Sequence, residues 1–302
     1  MTSSRRSAKP ASRWMGFVGA AVVAVMPIVA RAQPADLYYE RAVMSAADQR
    51  CGLFAPNLAA ALAAATAQAR GAALRAGTSS DSLRQAERNA QAKAAAADCR
   101  SADMQTAAAR VKNAFAGYAK ITRLTYAGDI AGWAADKNLG RAVRWSLAQE
   151  TAFGADRMAF GLAGSQDAQG LVASASFADG AQPYAARIVL RDQARTAQPY
   201  LARYGTGATA GLPLPLRLPP PSAQKGFMAS TRAPSDAELL PKGATSGWAF
   251  RFPDAAAQEL ARLDPREAVA VDFLFMNGAT RRAYVEVGDF AAGRAFLQMA
   301  AR

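Results

Sequence analysis

The sequence predicts an α+β protein in two parts: an N-terminal, Ala-rich antiparallel helical hairpin or bundle, and a C-terminal antiparallel sheet with two short helices. Three observations predict it. From Gln33 to Trp145 the chain is rich in alanine, nearly free of proline, and its apolar residues recur at spacings of three and four. Beyond Trp145 the apolar period falls to two. Asn277-Gly278, a strong two-residue hairpin signal, stands between two of those alternating runs. The expected organisation is a leader over residues 1–32, a helical domain over 33–145 and an α+β domain over 146–302, with a Pro-rich segment at 212–221.

The leader comes first. Arg5, Arg6, Lys9 and Arg13 precede an apolar run from Met15 to Ala30 with no acidic residue among them. That run falls short of the roughly 20 residues a spanning helix needs, and Pro27 interrupts it. Ala30-Arg31-Ala32 then offers the small side chains that signal peptidase requires, so cleavage is expected after Ala32, leaving a periplasmic or secreted chain. The competing reading is an uncleaved anchor over residues 14–30 with Arg31 at the far interface. Ser4-Arg5-Arg6 is a poor twin-arginine match, because Ser7 and Ala8 follow where apolar residues belong.

Export makes the two cysteines, Cys51 and Cys99, an expected disulfide. The chain-entropy model gives such a long loop about 4 kcal/mol. Two free buried thiols are the alternative.

In the helical part, Leu37 to Cys51 reads as a helix that Gly52 stops. Pro56-Asn57 starts a second, from Leu58 to Ala76, and Gly77 with Thr78-Ser79-Ser80-Asp81 turns the chain. A third helix carries a stripe of Leu83, Ala86, Ala90, Ala94, Ala97, Ser101, Met104, Ala108, Val111, Phe115 and Tyr118. Alanine in its first half permits close approach but buries little area, so the seam is weakly held by itself. An antiparallel turn between helices two and three brings Cys99 level with Cys51. Arg70, Arg75, Arg84, Arg88, Arg100 and Arg110 lie off the stripe and are expected to face water as a contact surface for anions. Tyr126, Trp133 and Trp145 are expected to pack the helical part against the α+β part.

In the second part Met158, Phe160 and Leu162, then Leu171 to Phe177, then Tyr184 to Leu190 alternate and predict an antiparallel meander. Trp248, Phe250 and Phe252 predict a strand leading through Pro253-Asp254 into a helix to about Leu263. Val269 to Phe275 and Arg281 to Val287 predict a hairpin, after which Asp289 caps the last helix. Leu212-Pro-Leu-Pro-Leu-Arg-Leu218 reads equally as a proline-protected edge strand or a polyproline II linker.

Composition narrows the chemistry. There is no histidine, which removes the usual general base of a triad and, with two cysteines, any Cys/His zinc site. Neither a phosphate-binding Gly-x-x-x-x-Gly-Lys loop nor an Asp-rich calcium loop is present, so no metal or cofactor is expected. The glycines from Gly205 to Gly211 miss the dinucleotide spacing by one place. Ser222-Ala-Gln-Lys225 matches the Ser-x-x-Lys spacing of penicillin-recognising enzymes, but prolines precede it and Gly226 follows. The pairs Asp254 with Glu259 and Asp264 with Glu267 stand where helix capping and solvation explain them.

Beyond the leader 31 basic residues face 23 acidic ones, and the excess is concentrated in residues 33–145, with 15 against 9. In an exported chain that surplus points to anionic envelope polymers, lipid head groups or another envelope protein as partners, and away from nucleic acid. The leading functional expectation is a non-catalytic envelope binding or scaffold module. Behind it stand a carrier of a small ligand, which needs an apolar pocket, and a Ser/Lys hydrolase using Ser222 and Lys225.

Overall fold

The computed structural model describes residues 33–138, 140–165, 168–201 and 212–299. The leader and the Gly205–Gly211 pattern lie outside the described residues. The chain from Ala32 onward forms one compact unit with the expected α+β architecture, helices first and antiparallel sheets after. No helix among the described residues is long and apolar enough to cross a membrane.

Among the described residues four α-helices come first: α1 (Pro34–Cys51), α2 (Pro56–Arg75), α3 (Ser80–Ala96) and α4 (Ala102–Phe115). Proline starts α1 and α2, where its missing N–H has no intrahelical partner to lose. Gly52, at φ 61°, stops α1 and donates its N–H to Asp48 O. The continuous third helix expected from the stripe is instead two. Ala97 turns extended, and the Ser101 hydroxyl accepts the Met104 N–H at 3.2 Å to start α4 anew. Cys99 lies in that break, bonded to Cys51 with the Cα atoms 5.7 Å apart.

The disulfide therefore ties the end of α1 to the joint between α3 and α4. Helix α1 packs against both α2 and α3, so the centre of this layer is α1 and not a seam between the other two. Its core is small: Tyr38, Ala42, Ala69, Ala73, Leu74, Leu83 and Ala90. Polar ties reinforce it, with the Arg50 guanidinium donating to Ala94 O and Ala97 O, and Arg41 donating to Ala65 O.

Eleven strands make two antiparallel sheets among the described residues. The long sheet runs in the order β1 (Arg123–Tyr126), β2 (Trp133–Asp136), β3 (Arg144–Phe153), β4 (Asp156–Ser165), β5 (Ala168–Ser176), β9 (Trp248–Phe252), β8 (Thr231–Pro234). The short sheet runs β11 (Thr280–Glu286), β10 (Ala268–Leu274), β6 (Ala185–Arg191), β7 (Gln224–Met228). Helices α5 (Asp254–Arg262) and α6 (Phe290–Gln298) complete the fold.

Inner faces of both sheets meet in one core: Phe160, Leu171 and Phe250 from the long sheet, Ile188, Val271, Phe273 and Val285 from the short one. Phe290 and Phe296 of α6, Leu260 of α5 and Ala64 of α2 join the same cluster. Tyr126 and Trp133 are fully buried in it.

Several local expectations change. Residues 123–136, grouped with the helices by composition, form the first two strands, because Tyr126 and Trp133 have a sheet core to enter. The meander stops after β5. Strand β6 crosses to the short sheet, where β10 and β7 pair with it. The β10–β11 loop has three residues, Met276 to Gly278, since Phe275 N–H still bonds Ala279 O. The Pro-rich segment is neither edge strand nor polyproline linker: Leu214–Arg217 is a 3₁₀ turn that buries Arg217 and leads to the buried Leu218.

Candidate functional site

Charged side chains have collected inside the second part. Arg191 on β6 holds Glu267 through two N–H donors at 2.6 and 3.0 Å, and both side chains are almost wholly buried. Arg266 pairs with Asp264 at 2.9 Å, and Glu267 accepts the Asp264 N–H. Arg217 reaches Asp129 at 3.1 Å and Glu286 at 3.5 Å, and donates to Leu212 O. Glu286 in turn accepts the N–H groups of Asp129, Ile130 and Ala131, which pins the β1–β2 loop to the end of β11.

Asp289 is part of the same system. Its two oxygens take Arg75 of α2 at 2.7 and 3.0 Å. Burial pushes the Asp289 carboxyl up, and the Arg75 contacts oppose that shift. A Cβ on Gly71 would stand 2.2 Å from Asp289 Oδ1, so glycine is what lets α2 approach the start of α6. The expected side-chain caps from Asp254 and Asp289 are not made; Asp289 spends its carboxylate on Arg75 instead.

This network is internally paired. Its carboxylates meet guanidinium groups or backbone N–H donors, and it joins the β1–β2, α5–β10 and β11–α6 loops to β6, β11 and α2. Asp264 and Glu267 belong to it, which overturns their reading as solvated helix-end acids.

The sites expected from sequence are dispersed. Ser222 is exposed in a 3₁₀ turn and Lys225 lies on β7, where its ammonium pairs with Glu259 at 3.4 Å. They do not share a helical turn, so Lys225 is not aimed at the Ser222 hydroxyl by helix geometry. Of the six arginines, Arg84, Arg88, Arg100 and Arg110 are exposed and Arg70 half-buried. Arg84 pairs with Asp81, and Arg88 donates to Gln85. Arg75 is the exception. It is turned inward onto Asp289, because an unpaired carboxylate at that depth would be costly.

The outer face of the long sheet holds an open groove of about 500 Å³ across β1, β2 and β3. Arg123, Thr125, Ala134, Asp136, Trp145 and Ala148 line it. The small floor follows from register: Thr125 pairs with Ala134, and Ala134 with Ala148. A second cleft of about 410 Å³ lies between the β4–β5 end, Asp254 and Gln258 of α5, and Arg294 of α6.

Sequence reading missed both the ionic network and the groove. A signal for the first was present: Arg217 sits in a leucine run, and Glu286 and Asp272 interrupt valine- and phenylalanine-rich strands. A trace of the second was present in Ala134 and Ala148, small residues on neighbouring strands. No protein-family model, curated protein or solved structure matches this chain, so no function is carried over from a relative.

Proposed function

We propose that this protein is an exported, non-catalytic binding module of the cell envelope that engages an anionic component, polymer or lipid head group, through its basic surface. The balance of buried charges carries this reading. Among the described residues six acidic side chains (Asp156, Asp264, Glu267, Asp272, Glu286, Asp289) but only three arginines (Arg191, Arg217, Arg266) are buried. Of the 31 basic and 23 acidic residues beyond the leader, 28 and 17 lie outside that set, which supports a surface more basic than the composition. A surplus of that sign steers anions over a Debye length of about 8 Å at physiological salt. The disulfide and the basic segment ahead of Ala32 support an oxidising, exported setting.

Co-sedimentation of residues 33–302 with isolated envelopes, and with phosphatidylglycerol vesicles, tests the proposal. Pelleting at about 50 mM salt that is lost near 500 mM, and lost when Arg84, Arg88, Arg100 and Arg110 are all changed to Glu, is the expected result. Binding indifferent to both treatments contradicts it.

A further inference from the structure

The groove on the long sheet has a chemistry that a basic surface does not explain. Its wall is Trp145, which is held in place: the indole N–H donates to Leu239 O at 3.2 Å, and the side chain packs against the buried cluster of Ala163, Val172 and Leu239. Facing the same groove from β1 and β2 is an ion pair, Arg123 Nε to Asp136 Oδ2 at 2.7 Å. Asp136 Oδ1 also accepts the Asn138 N–H at 2.8 Å, which fixes the carboxylate plane. The Arg123 side chain is 74% exposed, so with Nε committed to Asp136 its terminal N–H groups face solvent.

Three neighbouring strands thus line one groove with an aromatic ring, a carboxylate and a guanidinium. With strands about 4.8 Å apart, the groove is roughly 10 Å wide. Thr125, Ala134 and Ala148 leave its floor low. The volume of about 500 Å³ lies within the size range of small-ligand sites.

The charge of this groove decides the ligand class. Arg123 and Asp136 cancel, so an anion meets the carboxylate and a cation meets the guanidinium. What suits both is a group that donates and accepts at adjacent atoms. Vicinal hydroxyls do so, since each offers one O–H and two lone pairs to a planar donor and a planar acceptor. The axial C–H face of a pyranose ring, apolar and flat, matches an indole. We propose that this groove binds a neutral sugar unit of a glycan chain, with Arg123 and Asp136 on its hydroxyls and Trp145 against its ring. The site is separate from the basic helical face and does not rest on it.

Isothermal titration of residues 33–302 with chitotetraose, cellotetraose and maltotetraose tests this. The expected result is saturable binding of at least one of them, with affinity the same within about twofold at 50 and 500 mM salt. Arg123→Ala, at an exposed strand position, and Asp136→Ala, at a half-buried one, should each weaken it by about tenfold or more, while the thermal melt of Arg123→Ala stays close to the parent. Trp145→Phe should weaken it less, keeping an aromatic ring in the wall. The proposal is overturned if none of the three sugars saturates the protein at about 5 mM, or if binding is unchanged in both alanine variants. It is overturned equally if binding fades with salt, which would assign it to the basic surface instead.

Discussion

The two halves of this protein solve the same problem with different materials. The helical layer buries alanines around Tyr38, Leu74 and Leu83, and gains little area from each. Its other fastenings are a disulfide and arginine bonds to backbone carbonyls at Ala65, Ala94 and Ala97. The sheets bury phenylalanines on both inner faces, with Phe153 and Phe273 stacked at 5.7 Å and Phe177 edge-on to Phe273. They can also carry a charged network inside. The difference teaches that in the first half order depends on a few cross-links, and in the second on a large core whose weak points are unpaired charges.

The largest effect should come from the charged network. Glu286→Ala removes the acceptor of three loop N–H groups and a partner of the fully buried Arg217. Breaking a buried pair from one side costs about 3–5 kcal/mol. Denaturant unfolding of this variant should show that loss in a single transition, because the network spans the sheet core. A loss under about 1 kcal/mol would mean that the network is not what holds those loops.

Next in size is the disulfide. The double change Cys51→Ser and Cys99→Ser releases a bridge across 48 residues, worth about 4 kcal/mol in the chain-entropy model. Far-ultraviolet dichroism should lose helix before near-ultraviolet dichroism loses the environment of the sheet aromatics. Coincident transitions would erase the distinction between the halves.

A smaller effect concerns acid. Burial raises the Asp272 carboxyl, but hydrogen bonds from Arg282 and Arg187 outweigh it and hold the group below its ordinary value. Exposed Asp179, bonded by Arg281, is lowered to about 2. A depressed carboxyl stabilises the fold above its unfolded value, about 3.9, and that contribution fades as pH falls through the folded one. Asp272→Asn should therefore flatten the stability profile below about pH 4 and lower the plateau above it. An unchanged profile would mean the two arginines do not favour the charged form.

The smallest effect is Ser101→Ala, which removes the cap of α4 and should cost about 1 kcal/mol. Faster amide exchange confined to the first turn of α4 is the expected signature; no change at Met104 would make the cap dispensable.

Periodicity carried most of the fold. Alternation in Met158-x-Phe160-x-Leu162 and in Val269-x-Val271-x-Phe273 is readable because one face of each strand is buried in the shared core. It failed at Ala97 to Ser101, where alanine continues the stripe but Asp98 and Ser101 prefer local side-chain bonds to the helix. It also could not assign β6 to a sheet, since alternation names a buried face and not a partner strand.

Sites were harder to read. Arg75 looked like any off-stripe arginine, and only the approach of α6, 214 residues away, turns it inward. The groove depends on the register of three strands, which no local pattern specifies.

The most direct test of the division between the halves is amide hydrogen exchange of residues 33–302 with the Cys51–Cys99 bond intact and reduced. Reduction should raise exchange in α1, α3 and α4 and leave β4, β5 and β10 protected as before. If reduction speeds exchange in the sheet strands as much as in those helices, the molecule is held as one undivided unit, and the account of two differently fastened halves is wrong.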